Sequence, residues 1–163
     1  MLIIKDLLIF KNSINNIFKI LSYGNIWYII IGVGNGAIMI QKFDVVGIGN
    51  AIVDMVANID DSYLELNLLN KGSMKLIDHS ASAKICNSIN IIGQDCGGSA
   101  ANTVAGLASM GNKVAFIGKV NQDSYGYAFE TSLKKIGVYF NTPKAKGSSP
   151  TAHCIVLVTP DAQ

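Results

Sequence analysis

The chain has 163 residues, half of them hydrophobic and only 15% charged, with a formal net charge of +2. That is enough for one domain with a real core, and the scattered lysines form no basic cluster for a nucleic-acid backbone. Three cysteines (Cys86, Cys96, Cys154) and two separated histidines (His79, His153) exclude a disulfide framework and a zinc site, and fit reduced thiols in the cytoplasm.

Residues 1–40 read differently from the rest. Lys5, Lys11 and Lys19 precede an uncharged stretch from Ile20 to Gln41, which holds the apolar run Ile26–Ile31. The outline imitates a signal peptide or an amino-terminal anchor. Against a membrane span, Gly24, Asn25, Gly32, Gly34, Asn35 and Gly36 interrupt the stretch, and no small-x-small cleavage site follows. It is also barely long enough for a hydrocarbon core of about 30 Å. The expectation is a hydrophobic extension outside the fold, with residues 41–163 forming the domain and Met39 a natural start.

From Phe43 the pattern becomes regular. Phe43–Gly49 is a short apolar run ending in glycine, the mark of a buried strand entering a loop. Asp54–Ile59 reads as a second strand, and Asp60 or Asp61 caps a helix through Leu69 with Gly72 beyond it. Met74–Ile77 alternates as a strand. Ser80 is an N-cap for a helix to about Asn90. A helix from Ser99 stops at Gly111, Val114–Ile117 is a strand, and a helix from Ser124 or Tyr125 closes at Gly137. Val138–Phe140 is a short strand, Lys144–Pro150 a loop, and Ala152–Thr159 a strand that runs into a turn at Pro160-Asp161. Strands alternating with helices of about ten residues predict an α/β fold with a largely parallel sheet.

Two glycine clusters imitate nucleotide loops. Gly32-Val33-Gly34-Asn35-Gly36 and Gly47-Ile48-Gly49 lack the third glycine and following helix of a dinucleotide fingerprint. No Gly-Lys-Ser/Thr occurs either. The stronger signal is Cys96-Gly97-Gly98-Ser99-Ala100-Ala101-Asn102, where two glycines run into a helix and expose its first N–H groups. The Asn102 amide, in the first turn, both donates and accepts, as a sugar hydroxyl requires. The same residues also suit a helix start with Gly for packing and Ser99 as cap. In Gly49-Asn50-Ala51-Ile52-Val53-Asp54, a carboxylate beyond a strand-loop can accept from two vicinal hydroxyls, or it can satisfy local backbone N–H groups.

In this order and spacing the motifs resemble the ribokinase or PfkB family of carbohydrate and nucleoside kinases. Gly98-Ser99-Ala100-Ala101-Asn102 is similar to that family's first signature, and Gly118–Gly126 to the stretch that follows it. Gly49-Asn50-x-x-x-Asp54 resembles the adenosine kinase branch. Lys71-Gly72-Ser73-Met74 and Thr151-Ala152-His153-Cys154 look like strands of the family's lid. The resemblance implies a ribokinase-like, doubly wound (Rossmann-like) α/β sheet with a small β-sheet lid. It implies a sugar or nucleoside substrate held by Asn50, Asp54, Gly97, Gly98, Ser99 and Asn102, ATP and Mg²⁺ as cofactors, and a dimer through the lid. Asn121 and Ala152-His153 depart from the family's usual residues. The second signature, Asp-Thr-x-Gly-Ala-Gly-Asp, does not occur in the sequence. The expectation is therefore a truncated kinase: a substrate-binding portion without the catalytic Asp and most of the ATP site. A subunit completed by a separate C-terminal half, a non-catalytic remnant, and a membrane-anchored binding module are the alternatives.

Overall fold

The computed structural model describes residues 7–11, 17–23, 26–32, 38–147 and 149–162. In chain order its elements are β1 (Leu7–Lys11), β2 (Ile17–Tyr23), β3 (Ile26–Gly32), β4 (Ile38–Phe43), β5 (Val45–Ile48) and β6 (Ile52–Asn58). Then come α1 (Asp61–Leu66), α2 (His79–Ser88), β7 (Ile91–Gly97), α3 (Ser99–Ser109), β8 (Val114–Ile117), α4 (Ser124–Lys135) and β9 (His153–Val158). Two compact units emerge: Met1–Gly49 with Ala100–Ile117 and Leu133–Asn141, and Asn50–Ser99 with Gly118–Ser132 and Thr142–Gln163.

In the first unit, β1 to β4 form an antiparallel sheet in sequential order. The described residues of the stretch that imitates a membrane span are thus strands, as β-branched Ile and aromatic residues favour. No helix among the described residues is long and apolar enough to cross a membrane. The glycine cluster at 33–36 lies outside the described residues. A separate parallel pair joins β5 to β8, extended at its start by Asp44 and Lys113: Asp44 N–H donates to the Lys113 carbonyl, and Lys113 N–H to the Asp44 carboxylate, both at 2.8 Å.

Space explains Gly47 and Gly49. A Cβ at Gly47 would stand 2.6 Å from Val104 Cγ1, and one at Gly49 2.8 Å from Ala100 Cβ, so these glycines let α3 lie directly on β5. Helices α3 and α4 stop where the sequence predicts. Asn112 N–H reaches back to the Leu107 carbonyl and Val138 N–H to that of Leu133, around Gly111 and Gly137 in the left-handed conformation. Beyond α4, the predicted strand Val138–Phe140 yields one bridge, Tyr139 to Ala115, and Phe140 lies beside Phe116 at a ring separation of 6.0 Å. Phe116 is 1% exposed and sits against Gly47 in β5 and Gly49 just beyond it. We expect Phe116→Ala to cost about 3–5 kcal/mol, read as a lowered urea midpoint at unchanged slope.

In the second unit, β7, β6 and β9 form a mixed sheet with β6 central, antiparallel to β7 and parallel to β9. The predicted, largely parallel sheet is corrected to this extent. Val53, Met55 and Ala57 are buried on one face of β6, while Ile52, Asp54 and Val56 on the other are only part-buried. Three local readings change. Met74–Ile77 is not a strand: Met74 and Leu76 are exposed and pair with nothing in a sheet, so alternation alone misled. Helix α2 begins at His79, because Asp78 accepts from Ala81 N–H at 2.8 Å and takes the capping role assigned to Ser80. Strand β7, hidden by its glycines and polar residues, went unread. Lys71 lies in a turn, not a lid strand, and its ammonium bridges Asp61 at 2.6 Å and Asp161 at 2.8 Å. The final turn is as predicted, with Ala162 N–H on the Thr159 carbonyl at 2.8 Å. Lys71, then Thr159, hydrogen-bond the Asp161 carboxyl and draw its pKa down to about 2.

Candidate functional site

Strand β6 places Asp54 mid-strand on the face turned away from Val53, Met55 and Ala57. Its register neighbours are Asp95 on β7 and Cys154 on β9. The Asp54 carboxylate lies directly over Gly97: a Cβ there would overlap it, with Oδ1 at 2.6 Å. Gly98, at φ +97°, admits the Asn50 carbonyl oxygen 2.7 Å from where a Cβ would stand. The two glycines therefore have distinct tasks. Gly97 clears space for a carboxylate, and Gly98 lets the β6 entry loop meet the start of α3.

The second unit thus brings Asn50, Asp54, Gly97 and Gly98 together, with Ser99 next in the chain as the exposed first residue of α3. Asn102 is exposed in the first turn of α3, whose residues from Ala100 onward belong to the first unit. Burial, then the charge of Asp95, pushes the Asp54 carboxyl above its ordinary value. Among the described residues no hydrogen-bond donor meets that carboxylate, which removes the local-backbone explanation for Asp54. Burial first, then Asp95, raises the Cys96 thiol to about 11, and burial followed by Asp54 raises Cys154. Both remain protonated and poorly nucleophilic at neutral pH.

A second polar cluster joins two stretches singled out in the sequence, Gly118–Gly126 and Thr151–Cys154, whose contact the spacing does not reveal. Asp123 accepts from Gly126 N–H at 2.7 Å, Thr151 N–H at 2.7 Å and the Thr151 hydroxyl at 2.8 Å. Asn121 N–H donates to Thr151 Oγ1 at 2.8 Å, and the Asn121 amide to the Gly147 and Ser149 carbonyls. Asn121, which departs from the family pattern, is therefore a loop clamp. His153 faces the same side of the sheet as Val53, opposite Asp54. Its Nδ1 donates to the Thr151 carbonyl at 3.1 Å, which leaves Nε2 to accept from Ser82 Oγ at 2.5 Å. With Ser82 5% exposed and Tyr125 stacked at 4.9 Å, this pair pins α2 to the sheet.

Among the described residues no three His, Cys, Asp or Glu side chains converge to hold a metal ion. Nor does the sequence contain a Gly-Lys-Ser/Thr phosphate loop.

Residues 73–163 match the model of the pfkB family carbohydrate kinases. The fold is similar to an adenosine kinase from Sinorhizobium meliloti, at 42% identity and TM-score 0.66 over 74% of this chain and 37% of that one. It is similar to a probable sugar kinase from Rhizobium etli CFN 42, at 38% identity and TM-score 0.65 over 73% of this chain and 36% of that one. A 5-dehydro-2-deoxygluconokinase from Lacticaseibacillus casei is 35% identical over 100 residues, 61% of this chain and 24% of that protein. The chain spans little more than a third of the two solved structures and about a quarter of the curated relative. With the glycine-glycine helix start, the Asp54 strand and a family match over more than half its length, the chain belongs to the pfkB family of carbohydrate kinases and has their ribokinase-like α/β fold.

Proposed function

We propose that this chain carries the substrate-binding portion of an ATP-dependent kinase that phosphorylates a hydroxymethyl group of a sugar or nucleoside. The observation that supports this best is Asp54: a part-buried carboxylate seated on Gly97, with no donor from the described residues. Two vicinal hydroxyls supply the donors it lacks. Asn50, Ser99 and the Asn102 amide flank the same strand-loop and helix start in sequence, and each has polar atoms that pair with further hydroxyls. Exposed backbone N–H groups at the beginning of α3 add to this.

Phosphoryl transfer is mostly positioning and electrostatic stabilisation at the transferring group. In a kinase of this class ATP would supply the phosphoryl group and Mg²⁺ would neutralise its charge, and no residue described here is assigned to hold either. The sequence holds no Asp-Thr-x-Gly-Ala-Gly-Asp, so no residue here is assigned the proton-accepting role. On this reading residues 1–38 are dispensable for substrate binding, and the three-stranded sheet is the lid through which two copies pair.

The full chain is expected to bind adenosine or ribose in titration calorimetry while consuming no ATP in a coupled assay with adenosine, ribose or fructose. ATP turnover by the chain alone would overturn the assignment of catalysis elsewhere. Failure to bind any of the three would remove the substrate-site reading.

A further inference from the structure

The register sets Asp54 and Asp95 directly opposite each other on antiparallel β6 and β7. Like charges in that arrangement destabilise a sheet, so the pairing has no rationale in folding. On the Asp54 face, β7 presents Gly93, Asp95 and Gly97, and β9 presents Cys154, Val156 and Val158. The glycines leave the backbone bare on both sides of Asp95. No cationic side chain belongs to that face of the three strands. Asp95 is exposed; its Oδ1 accepts from the following Cys96 N–H at 2.7 Å and the Cys96 thiol also hydrogen-bonds the carboxylate, whose two oxygens keep further lone pairs for a ligand.

We propose that Asp95 is a specificity-determining residue: with Asp54 it makes a doubly acidic, hydroxyl-accepting face that takes an uncharged polyol or nucleoside and turns away a sugar acid. This rests on the substrate-site reading above. Two carboxylates offer acceptors to a row of hydroxyls, while a ligand carboxylate meets repulsion from both. The relatives make the distinction concrete, since one is named for a neutral nucleoside and another for a gluconate derivative.

The test uses the full chain and its Asp95→Asn variant, which keeps Oδ1 for the Cys96 N–H. Binding of adenosine, ribose and gluconate is measured by calorimetry at low salt, and the Asp54 carboxyl is titrated by carbon-13 NMR. The unaltered chain should bind adenosine or ribose in preference to gluconate. In the variant that preference should shrink by about tenfold, and the Asp54 midpoint should fall because a like charge has gone. An unmoved Asp54 midpoint, or an unaltered chain that prefers gluconate, overturns the proposal. If none of the three ligands binds, the proposal also falls, and the NMR result locates the fault. A shifted midpoint then faults the substrate-site reading, and an unshifted one faults the carboxylate pair itself.

Discussion

Asp54→Ala should weaken adenosine or ribose binding by at least about a hundredfold. Two hydrogen bonds to a charged acceptor are lost, each worth roughly 1.5–3 kcal/mol, and the substrate hydroxyls are left unpaired. Stability should respond in the opposite sense. Burial and Asp95 raise the folded Asp54 carboxyl above its ordinary 3.8, so ionisation costs the folded state more than the unfolded chain. That group's relative stabilisation is present below pH 3.8 and is lost as pH rises toward the folded value. Asp54→Asn, which removes the charge at constant volume, should therefore hold or raise Tm at pH 7 while abolishing tight binding. A carboxylate that served the fold would behave otherwise: Tm would drop and binding would fall only in proportion. Thermal melts and calorimetry on the same two variants separate the cases.

Asp123→Ala should be the most destabilising polar substitution in the second unit, at about 3–5 kcal/mol. It strands Gly126 N–H, Thr151 N–H and the Thr151 hydroxyl, with Thr151 2% exposed and Gly126 also buried. Asp123→Asn should be intermediate, because its oxygen keeps two donors while its amide nitrogen faces the third. Burial alone would push the Asp123 carboxyl up. The bonds from Thr151 and Gly126 and the neighbouring His153 outweigh it and hold the carboxyl below 3.8. A depressed carboxyl stabilises fully above its unfolded value and loses that contribution as pH falls through the folded one. The chain should accordingly lose stability below about pH 4, and Asp123→Asn should flatten that acid limb. Equal acid sensitivity in chain and variant would assign the limb to other carboxylates.

The sequence alone determined much of the family and the local structure. Helix ends at Gly111 and Gly137 were legible because left-handed closure leaves glycine in the chain, and the turn at Pro160-Asp161 because proline presets its geometry. The helix start after Gly97-Gly98 and the strand entering Gly49 were legible from hydrophobic period and punctuation. Strand β7 was not, since Gly93, Gln94, Asp95 and Gly97 give it no apolar alternation; pairing with β6 makes it a strand. Met74–Ile77 failed in the reverse way, because alternation without a partner strand forms nothing. The described residues of the span-like run before Phe43 became strands for a related reason: sheet pairing satisfies their backbone locally, and β-branched residues suit the pleat.

For the site, sequence spacing named Asp54 and the two glycines but not what they do to one another. That Gly97 exists to seat the Asp54 carboxylate depends on register, a property of two strands far apart in sequence. The same register sets Asp95 opposite Asp54, and loop closure brings Asp123 to Thr151 across 28 positions. Such pairings leave no periodic trace in one chain, because they are decided by which strands and loops pack side by side. Only the tertiary structure supplies them.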